Sequence, residues 1–442
     1  MSVSSSLSRW VLSSGLTLLV VISCASAPAL AQSNGDGSPY SRFGLGTLTD
    51  FSSSQSQAMG GGAYAVRSLN YNPTANPALW SDQVFTRLSA GASFQRTNTT
   101  TDDESSLLSS GLIEGLQLSF PLYERTLGVG LSFQPYTQHN YRVRRQQTVE
   151  PVDATYEQNL RGKGGLHSFR AGLGYRLNEI VSVGASVDVL FGIIDKERST
   201  EFVDRSFRNA NISDATRLNG VTSTVGGQLT FANVFQKNDA LSIGSSVALP
   251  TNLSGTRVLT IGEGRNLTQD TLETVDGEVS LPLRSRLGVA YQPNSAWILT
   301  LDGLYEPWSS FSSSFSSQGL LKGSFPEGGE GLLSDRWRIS AGMQVVPGAD
   351  DPLSGFFGNT GYRLGAAIEK LYVQPEADPT LRSYTVTAGF SFPTALSGTR
   401  IDLNLEAGTR GTTDGALVRD NFYSVSLHIN FGERWFQKRK LR

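Results

Sequence analysis

The sequence predicts an all-β protein: a transmembrane antiparallel β-barrel of about 14 strands with an N-terminal hatch, or plug. Three observations predict it. From about residue 84 onward, apolar and polar residues alternate with period two in one segment after another, the pattern of strands with two unlike faces. The links between segments are alternately short and long, as in outer-membrane barrels. The composition, with 47 glycines, 10% aromatic and 17% charged residues, suits a barrel better than a helical enzyme. No segment after the N-terminal one is an 18-residue apolar run. A membrane protein of this sequence must therefore be a closed barrel, which satisfies its own backbone in lipid.

The first element is a targeting segment. Arg9 precedes an apolar run over residues 10–22, and Ala29-Leu30-Ala31 stands before Gln32. Residues 1–31 thus read as a cleaved secretory signal peptide with a small-residue site. Val21-Ile22-Ser23-Cys24 also fits a lipoprotein signal, so lipidation of Cys24 stays open. Cys24 is the only cysteine. Cleavage after Ala31 leaves no thiol for a disulfide or a metal site. That cleavage also removes Arg9 and no acid, moving the formal charge from −2 to −3. A balance so near neutral makes no case for nucleic acid.

Residues 32–82 read as an N-terminal periplasmic segment and lumen hatch. Gly60, Gly61 and Gly62 follow Met59 and allow backbone that a side chain forbids. Asn72-Pro73 and Asn76-Pro77, with Ala78 after the second, are turn signals. The stretch 58–80 is too irregular for a strand and too broken for a long helix.

Residues 83–431 read as the barrel. Leu116, Leu118, Phe120 and Leu122 alternate with Gln117 and Ser119. Leu127, Val129, Leu131 and Phe133 alternate with Gly128, Gly130, Ser132 and Gln134. The pattern gives strands near 84–94, 112–122, 127–135, 166–177, 180–191, 221–233, 240–249, 281–291, 297–306, 336–346, 362–372, 382–392, 400–409 and 421–431. Each is near the ~9–11 residues that a tilted membrane strand needs. Short links fall at 123–126, 178–179, 234–239, 292–296 and 393–399. Long ones fall at 95–111, 136–165, 192–220, 250–280 and 307–335. By parity both termini lie at the short-turn, periplasmic end. The link 347–361 should be short and is not, so the register is open to a slip there.

The same alternation would serve a soluble sandwich, which hides its apolar face. The signal peptide, the even strand count, the long loops and aromatics near strand ends, such as Trp297 and Phe392, favour a barrel with its apolar face toward lipid. The last strand is the clearest: Tyr423, Val425, Leu427, Ile429 and Phe431 alternate with Ser424, Ser426, His428 and Asn430. Residues 432–442 form a basic tail, read as a solvated periplasmic end.

Several of these stretches carry a resemblance. Ala58-Met59-Gly60-Gly61 followed by Asn76-Pro77-Ala78 resembles the hatch of the FadL-like outer-membrane transporters of long-chain fatty acids and other hydrophobic compounds. Ser38-Pro39-Tyr40-Ser41-Arg42-Phe43-Gly44 and the basic tail resemble members from the Bacteroidetes. Asp302-Gly303-Leu304-Tyr305 leading to Trp308 is similar to a strand of the family, and the terminal strand resembles an outer-membrane assembly signal. The sequence departs at Arg67-Ser68-Leu69-Asn70, where family members usually carry acids. The resemblance implies passive uptake of hydrophobic small molecules such as long-chain fatty acids, as a monomer in the cell outer membrane. It also implies engagement of the barrel-assembly machinery through the C-terminal strand. In the family a kink in the third strand opens the wall. Here that strand ends at Gln134-Pro135, and proline cannot donate to a ladder, although Pro135 also serves simply to end the strand.

Chemistry is sparse. The three histidines, His139, His167 and His428, fit no metalloprotease motif, and there is no phosphate loop or nucleophile elbow. His428 beside Ser426 is the one candidate for hydrolysis, and it points to the lumen. The expectation is no enzyme, no cofactor and no metal. The expected lumen face carries arginines, among them Arg170, Arg284, Arg286, Arg336 and Arg338. They read as ion-pair partners that pin the hatch, or as contacts for a carboxylate headgroup. A different class stays open: a non-transporting barrel serving as scaffold or protein shuttle in type IX-like secretion. The apolar loop residues Phe311, Phe315, Leu320, Leu321 and Phe325 suit a lipid; the polar link 136–165 suits a protein client.

Overall fold

The computed structural model describes residues 37–433, apart from 103, 150–153, 205, 264–268, 316–324, 327–329, 352, 377–378, 397 and 416. The expected signal peptide, Cys24, Leu320, Leu321 and the tail from 434 lie outside the described residues.

Fourteen wall positions form one closed antiparallel barrel. In chain order the strands are β1 (Thr86–Thr100), β2 (Ser105–Tyr123), β3 (Leu127–Pro135, resuming as Tyr141–Val149), β4 (Ala154–Arg176), β5 (Val181–Phe202) and β6 (Ala210–Ala232). Then come β7 (Ala240–Ala248, resuming as Thr251–Glu263) and β8 (Gln269–Leu281, resuming as Arg284–Gln292). The wall ends with β9 (Trp297–Glu306), β10 (Arg336–Val345), β11 (Gly361–Lys370), β12 (Arg382–Pro393), β13 (Arg400–Gly411) and β14 (Arg419–Glu433). β14 pairs with β1 from Arg419↔Thr100 to Glu433↔Thr86, which closes the wall. The breaks in β3, β7 and β8 fall at or beside Pro135, Pro250 and Pro282, where the ladder loses a donor.

The apolar face is outside. On β14, Tyr423, Val425, Leu427 and Phe431 are exposed, while Ser424, Ser426, His428 and Asn430 are buried. A sandwich would bury the first set, so the outer face is built for lipid. The band has an upper boundary. Outward residues on β4 and β5 are apolar up to Phe169 and Ile193, and Lys163 and Glu197 pair beyond it.

Four stretches expected as long loops, 95–111, 136–165, 192–220 and 250–280, are largely strand. Above the lipid band neither face of a strand needs to be apolar, so the alternation that marks a strand fades there. The link 347–361 is a long turn holding a one-turn helix, Phe356–Asn359, and no register slips around it.

Residues 37–85 thread the lumen from one end to the other. A turn at Pro39–Arg42 lies at the long-loop end, where the Tyr40 hydroxyl donates to the Val418 carbonyl. A helix, α1 (Ser54–Ala58), is capped by Ser53, whose side chain accepts from the Ser56 amide. A second turn, Pro77–Asp82, is capped by Asn76. At the short-turn end the Arg125 amide donates to the Gln83 carbonyl. The segment expected to lie on the periplasmic side thus begins, at Gly37, beside the long loops. Its apolar residues Tyr40 and Leu45 draw it there, into a buried cluster with Leu190, Ile194, Trp308 and Tyr372.

Wall glycines seat this segment. Trp80 lies against Gly128 and Gly130, Pro77 against Gly174 and Gly184, and Met59 against Gly342 and Gly365. A Cβ at any of these positions would occupy the space that the segment fills. Gly128-Val129-Gly130 is therefore a seat inside a strand.

Candidate functional site: hatch, latch and wall gap

The hatch residues expected from sequence are buried inside the wall, Gly61 half-buried, and Gly60 and Asn76 bond to the wall directly. Met59 caps α1, and the Gly60 amide donates to Thr387 Oγ1 at 3.0 Å. Gly60 and Gly61 take φ of +80° and +77°, conformations that glycine adopts without strain. Gly62 packs against Asp302 and Ser340, and its carbonyl accepts from Ser56. Asn76 accepts from the Ala78 amide at 3.1 Å and donates to the Gly227 carbonyl at 3.1 Å. Asp302 accepts from the Ala63 and Tyr64 amides at 2.7 and 2.9 Å.

The arginines are engaged. Arg336 donates to Glu306 and Glu369 at 2.7 Å each and to Asp50 of the hatch. Arg284 donates to Glu306, lies 3.9 Å from Asp50 and stacks its guanidinium 4.9 Å from the Tyr136 ring centre. Arg338 donates to the Gly60 carbonyl at 2.7 Å and lies 3.8 Å from both Asp50 and Glu369. Arg170 pairs with Asp188 and donates to the Thr74 carbonyl. Arg286 sits over the Tyr64 ring at 5.8 Å. A second latch lies at the short-turn end, where Asp82 meets Arg67 at 2.5 Å and Arg176.

Asp50 is the hub that sequence reasoning missed. Burial alone would push its carboxyl up, but Arg336, Arg284 and Arg338 hold it well below the usual carboxylate range. A signal was present: between Gly37 and Phe85 the only acids are Asp50 and Asp82, and each meets arginine. His428 is not poised over Ser426. Its Nε2 lies 2.8 Å from Glu114, which also accepts from Ser426, and Phe51 of the hatch stacks on its ring.

The wall opens beside this latch. The β2–β3 ladder runs from Tyr123↔Leu127 to Leu116↔Phe133 and stops. There Gly115 takes φ +139° against the Phe133 carbonyl, and Gln134 donates to the Phe51 carbonyl at 3.2 Å. Past Pro135 the chain turns to the hatch, and Thr137-Gln138 pairs with Thr47-Leu48 as a two-residue ribbon. A cavity of about 240 Å³ lies between Asp50, Arg338, Arg410 and the β2 residues Ser110 and Glu114, with Gln138 at its β3 side. The apolar cluster of Trp308, Phe311 and Tyr372 adjoins it at the long-loop end.

Fold and site define a membrane-spanning barrel with a lumen filled by its own N-terminal segment. The sequence model of the BamG family matches residues 16–442, and the chain belongs to that family. Solved structures with the same fold include a FadL homologue from Pseudomonas aeruginosa, at 12% identity and TM-score 0.58, covering 87% of this chain and 99% of that one. The toluene transporter TodX of Pseudomonas putida matches at 16% identity and TM-score 0.55, over 89% and 100%. The toluene transporter TbuX of Ralstonia pickettii matches at 15% and 0.55, over 86% and 98%. No curated sequence matches the chain.

Proposed function

We propose that the protein is an outer-membrane channel through which hydrophobic small molecules move passively from the long-loop end into the membrane. The observation that carries this reading is the end of the β2–β3 ladder at Leu116↔Phe133, at the top of the lipid band and beside a cavity bounded by the hatch. Cargo enters along the apolar cluster around Trp308, the hatch shifts, and cargo leaves between β2 and β3. Gln134 and Pro135 form the hinge of that opening. The names of the similar structures, a FadL homologue and two toluene transporters, support hydrophobic cargo. The cavity lining carries Arg336, Arg338 and Arg410 beside Asp50, Glu114, Glu369 and Glu406. A long-chain fatty acid fits this reading with its chain along the apolar cluster and its head at Arg410, which lies over the Phe422 ring at 5.3 Å.

Mass spectrometry of organic extracts from the purified protein tests this. A stoichiometric apolar or amphiphilic molecule, absent from a control barrel in the same detergent, is expected. A second reading, a non-transporting scaffold or shuttle, is favoured by the lumen filled from end to end by the hatch. An empty barrel that co-purifies with one other protein would replace the first reading with the second.

A further inference from the structure

At and beyond the top of the lipid band the wall carries two open edges. Residues 105–115 of β2 pair only with β1, and Tyr141–Val149 of β3 pairs only with β4. At ~3.3 Å per residue the β2 edge is about 36 Å long and the β3 edge about 30 Å. An unpaired edge is a template for one more strand. We propose that this slot accepts an extended, acidic segment of another protein, added as a strand along Tyr141–Val149.

Charge selects that occupant. Arg142, Arg144 and Arg145 fall within the span 142–145 and are exposed. The one carboxylate within 4 Å of Arg144 among the described residues is Glu157, at 3.9 Å, and both side chains stay largely in solvent. An incoming strand would place its residues opposite these arginines, where opposite charges contribute roughly 0.2–1 kcal/mol per pair and like charges repel. A second copy pairing through the same edge would set arginine against arginine. The chain's own residues just before Gly37 are Gln32-Ser33-Asn34-Gly35-Asp36, a composition that strands disfavour. Neither edge contains proline, the residue that most simply blocks added strands. Behind the slot, Ser41 donates to the Asn140 carbonyl at 2.7 Å, which ties the Pro39–Arg42 turn to the foot of the β3 edge on the lumen side.

The test uses the full chain in lipid nanodiscs and two fluorescent nine-residue probes, one alternating Glu with Val and one alternating Lys with Val. Saturable binding of the Glu probe is expected, with slowed hydrogen exchange at 141–149. The double variant Arg144→Glu, Arg145→Glu, at exposed positions, should weaken it at least tenfold. Absence of binding at millimolar probe, equal binding of the Lys probe, or protection confined to other strands would overturn the proposal. The result does not depend on whether the barrel carries a hydrophobic cargo, which the extraction experiment reads separately.

Discussion

One carboxylate, Asp50, joins three arginines from two regions of the wall: Arg284 on β8, and Arg336 and Arg338 on β10. Removing one partner of a buried pair leaves the rest uncompensated, at a cost of about 3–5 kcal/mol. Asp50→Asn should therefore lower thermal stability and raise single-channel conductance in planar bilayers; an unchanged conductance would mean that the latch does not hold the hatch. The sign of the pH dependence follows from the lowered carboxyl. Its contribution is fully present above the ordinary carboxylate value of about 3.9 and fades only as pH falls toward the lowered one. The Asp50 latch itself should thus hold unchanged from pH 7 to pH 4, read as an equal conductance difference between the wild type and Asp50→Asn at both values. The arginines were legible as inward residues because alternation assigns faces. Asp50 was not, because it stands in a stretch without periodicity, and its partners are more than 200 residues away in sequence.

At the scale of elements, the hatch and the wall were cut to fit each other. Trp80 is wholly buried against Gly130, and a side chain at Gly130 would overpack that seat, at about 1–3 kcal/mol. Gly130→Val should unseat the Pro77–Asp82 turn and make residues 67–85 cleavable by added protease, with the barrel still folded. Pro135→Val should extend the β2–β3 ladder and reduce uptake of a fluorescent fatty acid without changing folding; full uptake would remove Pro135 from the exit. Strand positions within lipid were legible from period-two alternation. Their upward extensions were not, because water asks nothing of either face. The apolar cluster inside the long-loop end was hidden too. Leu190 and Ile194 point inward there while Phe191 and Ile193 point outward, so the run 190–194 shows no contrast between faces.

For the whole molecule, the fourteen strands and the outward apolar face were readable because every membrane strand obeys the same rule. The course of the hatch was not, since it depends on contacts across the lumen. Deleting residues 58–80 removes α1's last residue, its Met59 cap and the Asn76–Pro77 cap but none of the wall ladders. A folded barrel with larger, less selective conductance is expected, checked by heat-modifiable migration on gels together with bilayer recordings. A chain that no longer migrates as a folded barrel would make the hatch part of the scaffold.

The hatch runs the full height of the lumen, from Gly37 among the long loops to Gln83 at the short turns, before β1 begins. The wall is sealed only when β14, the last strand made, meets β1. Order in time therefore matters as much as order in space. A ring that sealed first would have to draw a folded helix, a capped turn and Trp80 through a lumen narrowed by inward side chains from the short-turn end. A chain that seats its N-terminal segment while the seam is still open meets no such barrier. On that schedule the hatch is the mandrel around which the wall is wound.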